Sequence, residues 1–140
     1  MSFAKDRIAL MLVALWWGSL TTIGFLVVPM LFAQLGNPVV AGNFAAQLFA
    51  AQTWVAIGCG LVLIIHFRTK GDDGFTRPVL AGLFLVLAAL LLALLQQYAV
   101  APHIVARDNL RLWHSVGSGM YLAQWACTGV LLWRLARPAA

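Results

Sequence analysis

Polar and apolar positions segregate along this chain in blocks as long as whole helices. Four stretches, near residues 8–32, 39–67, 78–100 and 112–133, are apolar almost throughout. Each is long enough for an α-helix, rising about 1.5 Å per residue, to cross about 30 Å of hydrocarbon. Breakers separate them: "QLGNP" after the first, "TKGDDG" after the second, "APHIVARDN" after the third. Pro78 and Pro102 each suit the first turn of a helix, where the missing N–H has no partner to lose. Links this short predict an all-α, integral-membrane, up-down-up-down four-helix bundle, built as one domain over residues 1–140.

Composition agrees with lipid as the solvent. Of 140 residues, 63% are hydrophobic and 9% charged, whereas soluble domains carry about 25% charged residues. Mean hydropathy is +0.92. The net charge of +5 does not point to nucleic acid, because the cations sit in short segments between apolar runs and form no basic face beside base-reading side chains. Instead they set orientation. One side holds Lys5, Arg7, Arg68, Lys70, Arg77, Arg134 and Arg137, and the other only Arg107 and Arg111. By the positive-inside rule both termini are cytoplasmic. The opening apolar stretch runs too far for a signal peptide and reads as an uncleaved first span. The expected location is a bacterial inner (cytoplasmic) membrane, multi-pass, with the lipid bilayer as first partner.

This topology gives each polar group a depth. Asn43 and Gln47 fall in the outer part of the second span, four residues apart on one face. Gln96, Gln97 and Tyr98 end the third. Pro29, near the outer end of the first, frees a backbone carbonyl one turn back, close to Phe25. The fourth span enters through "RDNLRLWHSVGSGMYLAQW". At about 100° per residue, Arg107, Arg111, His114, Ser118, Tyr121 and Trp125 share a face. His103 joins them if the helix starts at Pro102; if Asp108 or Asn109 caps it, only the later members remain aligned. The expectation is an outward-opening polar pocket lined by Asn43, Gln47, Gln96, Gln97, His114, Ser118 and Tyr121, with Arg107 and Arg111 at its rim. The same groups would serve equally as hydrogen-bonding glue between helices. Trp16, Trp17, Trp54 and Trp125 are expected to fill space between helices, and the inner half to be plain.

Candidate chemistry is sparse. No glutamate exists, and Asp6, Asp72, Asp73 and Asp108 all lie outside the apolar cores, which disfavours ion-coupled transport. The metal candidates are His103, His114, Cys59 and Cys127, without a ligand-spacing motif among them. His66 reads as an interfacial anchor. Haem lacks a second axial ligand facing His114, and no cofactor is assigned. Ser118 stands one turn from His114 but no acid completes a nucleophilic set, so an enzymatic reading has little support. Glycine spacing at Gly42–Ala46, Gly58, Gly60, Gly18 with Thr22, and Gly117–Gly119 allows close helix contact.

Taken in order, "WGS" (17–19), "PMLF" (29–32), "AG" (41–42) leading to "LF" (48–49), "APHI" (101–104), Arg107 and the aromatic-His pair at 113–114 resemble the four-span domain-of-unknown-function family that includes eukaryotic transmembrane protein 205. The resemblance implies copper-resistance-type four-span architecture and a role in metal handling or membrane stress resistance. It places functional weight on Trp17, Gly18, Pro29, Phe32, Gly42, Arg107 and His114. One departure stands out: the serine follows His114 at four positions (Ser118), where the family pattern favours three. Two functions remain open: a pocket that binds or passes a small ligand or metal ion, and an accessory subunit that docks on other membrane proteins or on itself.

Overall fold

The computed structural model describes residues 2–72 and 74–137, with side chains from Ala4 onward; Asp73 of the second breaker lies outside the described residues. Helices dominate, and no strand occurs among the described residues. The first rod comprises α1 (Ser2–Thr22), a π-helical turn at Ile23–Val27 and α2 (Val28–Gln34). The second is α3 (Pro38–Lys70). The third comprises α4 (Arg77–Leu95), a second π turn at Gln96–Val100 and α5 (Ala101–Val105). The fourth is α6 (Leu110–Ala136).

Three rods are long and apolar enough to cross a membrane: Ala4–Gln34, Pro38–Lys70 and Arg77–Val105. At 27 residues α6 has the length, but Arg111, His114, Gln124 and Arg134 interrupt its apolar residues.

Proline explains both π turns. Pro29 and Pro102 have no N–H to return to the carbonyl four residues earlier, and their rings crowd it. Each π turn ends two residues before its proline, with Val28 N–H bonding to Ile23 O and Ala101 N–H to Gln96 O. Such local widening re-satisfies backbone groups that proline frees in an apolar setting. Of the two starts the sequence left open for the fourth rod, the later one forms: Pro102 lies in the first turn of α5, within the third rod. The fourth starts later, at Leu110, after two non-glycine residues in left-handed backbone, Arg107 (φ 58°) and Asn109 (φ 36°).

The other links follow ordinary rules. Asn37 caps α3, its Oδ1 accepting from Val39 N–H at 3.0 Å and Val40 N–H at 3.3 Å, with Pro38 in the first turn. Gly74 turns the loop into α4 at φ 117°.

The rods form a ring in which α1 packs on α3 and α6, and α4 packs on the same two. Val13, Trp16, Leu20, Leu63, Val86 and Leu131 are fully buried at its centre. In lipid, close van der Waals contact has to hold helices together because apolar burial offers little gain. Small residues supply it at Gly82, whose hydrogen faces the Phe67 ring, and at Gly24, which lies under the Tyr121 ring. Gly60 and Gly117 are also closely approached, by Leu90 and Val100. Gly18, Gly42, Gly58 and Gly119 have open space before them and make no close approach within the bundle. The expectation for Trp54 is corrected: it is 68% exposed on α3 and fills no interhelical space.

Candidate functional site

At the end of the bundle that carries the link 106–109, the helices open into a cavity of about 500 Å³. The broken first and third rods make it possible. Around the first π turn, Gly24, Phe25 and Val28 contribute to its wall, and Phe32 follows from α2. From α3 come Val39, Gly42, Asn43, Ala46 and Phe49; the second π turn and α5 add Gln96 and Ile104; α6 adds His114, Gly117, Ser118 and Tyr121. Most of this wall is apolar. Arg107, His114, Asn43 and Ser118 supply polarity, and all four are exposed.

Tyr121 fixes the floor. Its hydroxyl donates to Leu20 O at 2.6 Å, just ahead of the first π turn, and Phe49 meets its ring edge-on at 5.3 Å. One turn further along α6, Trp125 Nε1 donates to Thr21 Oγ1 at 2.9 Å, and the Trp125 ring stacks on Trp17 at 5.7 Å. Phe25 closes on Trp125 edge-on at 5.5 Å. The contacts of Tyr121, Trp125 and Gly129 with Gly24, Thr21 and Trp17 run in opposite chain directions. This aromatic ladder keeps the cavity from extending deeper along α1 and α6.

The rim is held by a different device. His103 stacks on Trp113 at 4.1 Å with nearly parallel rings, and its Nδ1 lies 3.3 Å from Asp108 Oδ2. That clamp joins α5 to the start of α6 and leaves Arg107 as a left-handed residue in the link between them. Left-handed backbone at a non-glycine residue costs about 1–2 kcal/mol, and the clamp on either side maintains it.

Beneath Phe49 and Tyr121 lies a second, smaller cavity of about 40 Å³. Gln52, Thr53, Gln96, Gln97 and Gln124 line it, with Ala93 and Ile104. Gln52 is 3% exposed and Gln124 2%. Neither Gln52 Nε2 and Oε1 nor Gln124 Nε2 has a hydrogen-bond partner in the protein. Each buried polar group left unpaired costs about 1–3 kcal/mol.

These placements sort the sequence-predicted residues. The larger cavity gathers Arg107, Asn43, Gln96, His114, Ser118 and Tyr121, together with Phe32 and Gly42. Gln97 belongs to the smaller cavity. Arg111 and Gln47 are exposed and line neither one, Pro29 shapes the wall without lining it, and Trp17 and Gly18 stand below. The inward stripe of α6 runs through Gly117, Tyr121, Gln124, Thr128 and Leu131, rotated from the predicted face. Sequence reasoning missed Gln52 and Gln124; each is an amide inside an apolar run, a sufficient signal in itself.

The metal candidates are spread over α3, α5 and α6. Cys59 is buried on α3 and Cys127 half-buried on α6, both as free thiols. Among the described residues no group of three or more His, Cys, Asp or Glu side chains is placed to hold an ion. His66 is buried on α3, 3.5 Å from Asp6 of α1, which also pairs with Lys70.

An all-helical bundle with three membrane-length apolar rods and a cavity at one end defines a helical membrane protein. No curated protein and no solved structure matches the chain. It belongs to the family described as a domain of unknown function, DUF4149, whose profile matches residues 11–112. The matched segment contains both π turns and ends within the first turn of α6, just short of His114.

Proposed function

We propose that the larger cavity is a binding site for a small, largely apolar molecule, entered from the outer face of a bacterial inner membrane past Arg107 and His114. The carrying observation is the cavity itself: about 500 Å³, walled by all four rods, within the about 300–1,000 Å³ of small-molecule sites and with their pattern of apolar walls and few polar groups. Four spans in up-down order, with both termini in the cytoplasm, complete this reading. Opposite chain directions in the α1–α6 contacts support the order. The seven cations gathered away from the cavity mouth support the orientation. A cationic, imidazole-bearing mouth over an apolar chamber suits an apolar body with an anionic or polar end. The likeness to the transmembrane protein 205 family would make such binding part of membrane stress resistance.

A direct test is binding of 1-aminoanthracene, an apolar fluorophore, to the protein in lipid nanodiscs. Gly42 lines the cavity and has nothing within 4 Å of an added Cβ, so Gly42→Leu should fill space without disturbing the helices. Saturable binding beyond that of empty discs, abolished in Gly42→Leu at unchanged helical content, is the expected result. Binding no greater than that of empty discs would refute the site.

A second reading, docking on another membrane subunit, is favoured by Gly58 and Gly119, both exposed with open space before them. It predicts that Gly58→Leu releases a co-purifying polypeptide under mild extraction; purification without any partner would count against it.

A further inference from the structure

We infer that the smaller cavity is the polar end of the same site, where Gln52 and Gln124 hold a carbonyl or other neutral hydrogen-bond acceptor of the bound molecule. This rests on the reading of the larger cavity as a ligand site and adds the chemistry it selects. Phe49, Gln96, Ala101, Ile104 and Tyr121 border both cavities. A ligand seated against Phe49 and Tyr121 therefore has only a shared wall between it and the amides.

The donor inventory chooses the acceptor. Every hydroxyl nearby already donates to backbone: Thr53 Oγ1 to Phe49 O at 3.0 Å, Thr128 Oγ1 to Gln124 O at 3.0 Å, and Tyr121 to Leu20 O at 2.6 Å. Left buried and unpaired are the amide NH₂ groups of Gln52 and Gln124 and the side-chain carbonyl of Gln52. Each NH₂ group offers two donors and no acceptor. A site whose unpaired buried donors are neutral amides selects an uncharged acceptor: an anion would lose its hydration with no cation to replace it, since no arginine or lysine lines the smaller cavity. At about 40 Å³ the space admits a single such group or a few waters.

The test compares two ligands that differ by one carbonyl oxygen, 4-fluoroacetophenone and 4-fluoroethylbenzene, by ¹⁹F NMR in nanodiscs, each corrected for partition into empty discs. The expected result is a roughly three- to tenfold preference for the ketone, the yield of one net hydrogen bond. Gln52→Met and Gln124→Met should each bring that preference towards unity while 4-fluoroethylbenzene binds as before. Should those variants not fold, a ¹³C-carbonyl label in the ketone gives the answer in the wild type, through a downfield carbonyl shift relative to empty discs. Equal binding of the two probes, an unshifted carbonyl, or a preference that survives both substitutions would overturn the inference and leave the amides as a hydration site. Failure of both probes to bind the wild type would instead remove the larger cavity as a ligand site, and this inference with it.

Discussion

Tyr121 joins the two cavities to the first rod. It caps the floor of the larger cavity, borders the smaller one and ties α6 to the first rod through Leu20 O. Tyr121→Phe keeps the ring contacts with Gly24 and Phe49 and removes only the hydrogen bond. The expected loss is about 0.6–1.7 kcal/mol, the range for interhelical hydrogen bonds in membrane bundles, read by steric-trap unfolding in bicelles. Gly82→Ala should be worse, because its Cβ would meet Phe67, itself 4% exposed with little room to yield; overpacking of this kind costs about 1–3 kcal/mol. Tyr121, His114 and Asn43 were legible in the sequence because a polar group in an apolar run has to find a partner or a cavity. Gln52 and Gln124 obey the same rule, but each stands alone in its apolar run, away from the polar groups that mark the rim.

At the scale of elements, the four apolar blocks and their breakers read directly as helices, since length and apolarity were unambiguous. The phase of α6 was not legible. The sequence centred the inward face on His114, Ser118 and Trp125, whereas the buried stripe through Gly117, Gln124 and Thr128 lies about 70° round the helix at about 100° per residue. The π turns were hidden too, because a π turn answers to a proline's tertiary setting, and Pro78 in an α-helical first turn has none. Their role can be tested with Pro29→Ala. Restoring an N–H at position 29 should let Ile23–Val27 revert to α-helix and swing Gly24, Phe25 and Val28 around the rod. Chemical shifts would show the regular helix, and 1-aminoanthracene affinity should fall at least several-fold with stability unchanged or higher. Retained affinity with a regular helix would mean that the turn does not shape the site.

For the whole molecule, charge asymmetry is the organising fact. Seven cations stand at the end away from the cavity and two, Arg107 and Arg111, at the other end, the imbalance on which the proposed orientation rests. Reporter fusions at both termini should place them in the cytoplasm, and a thiol-reactive, membrane-impermeant reagent should label Ala106→Cys, in the link at the mouth, from outside in a background with Cys59 and Cys127 replaced. Labelling only after permeabilisation would invert the bundle and turn the cavity inward. The central claim, that the cavity holds a molecule, is met most directly by native mass spectrometry of the protein released gently from its own membrane. The expected spectrum carries a bound small mass of one composition on the wild type, absent from Gly42→Leu. A wild-type protein that sheds only bulk lipid and matches Gly42→Leu in every charge state would contradict the claim.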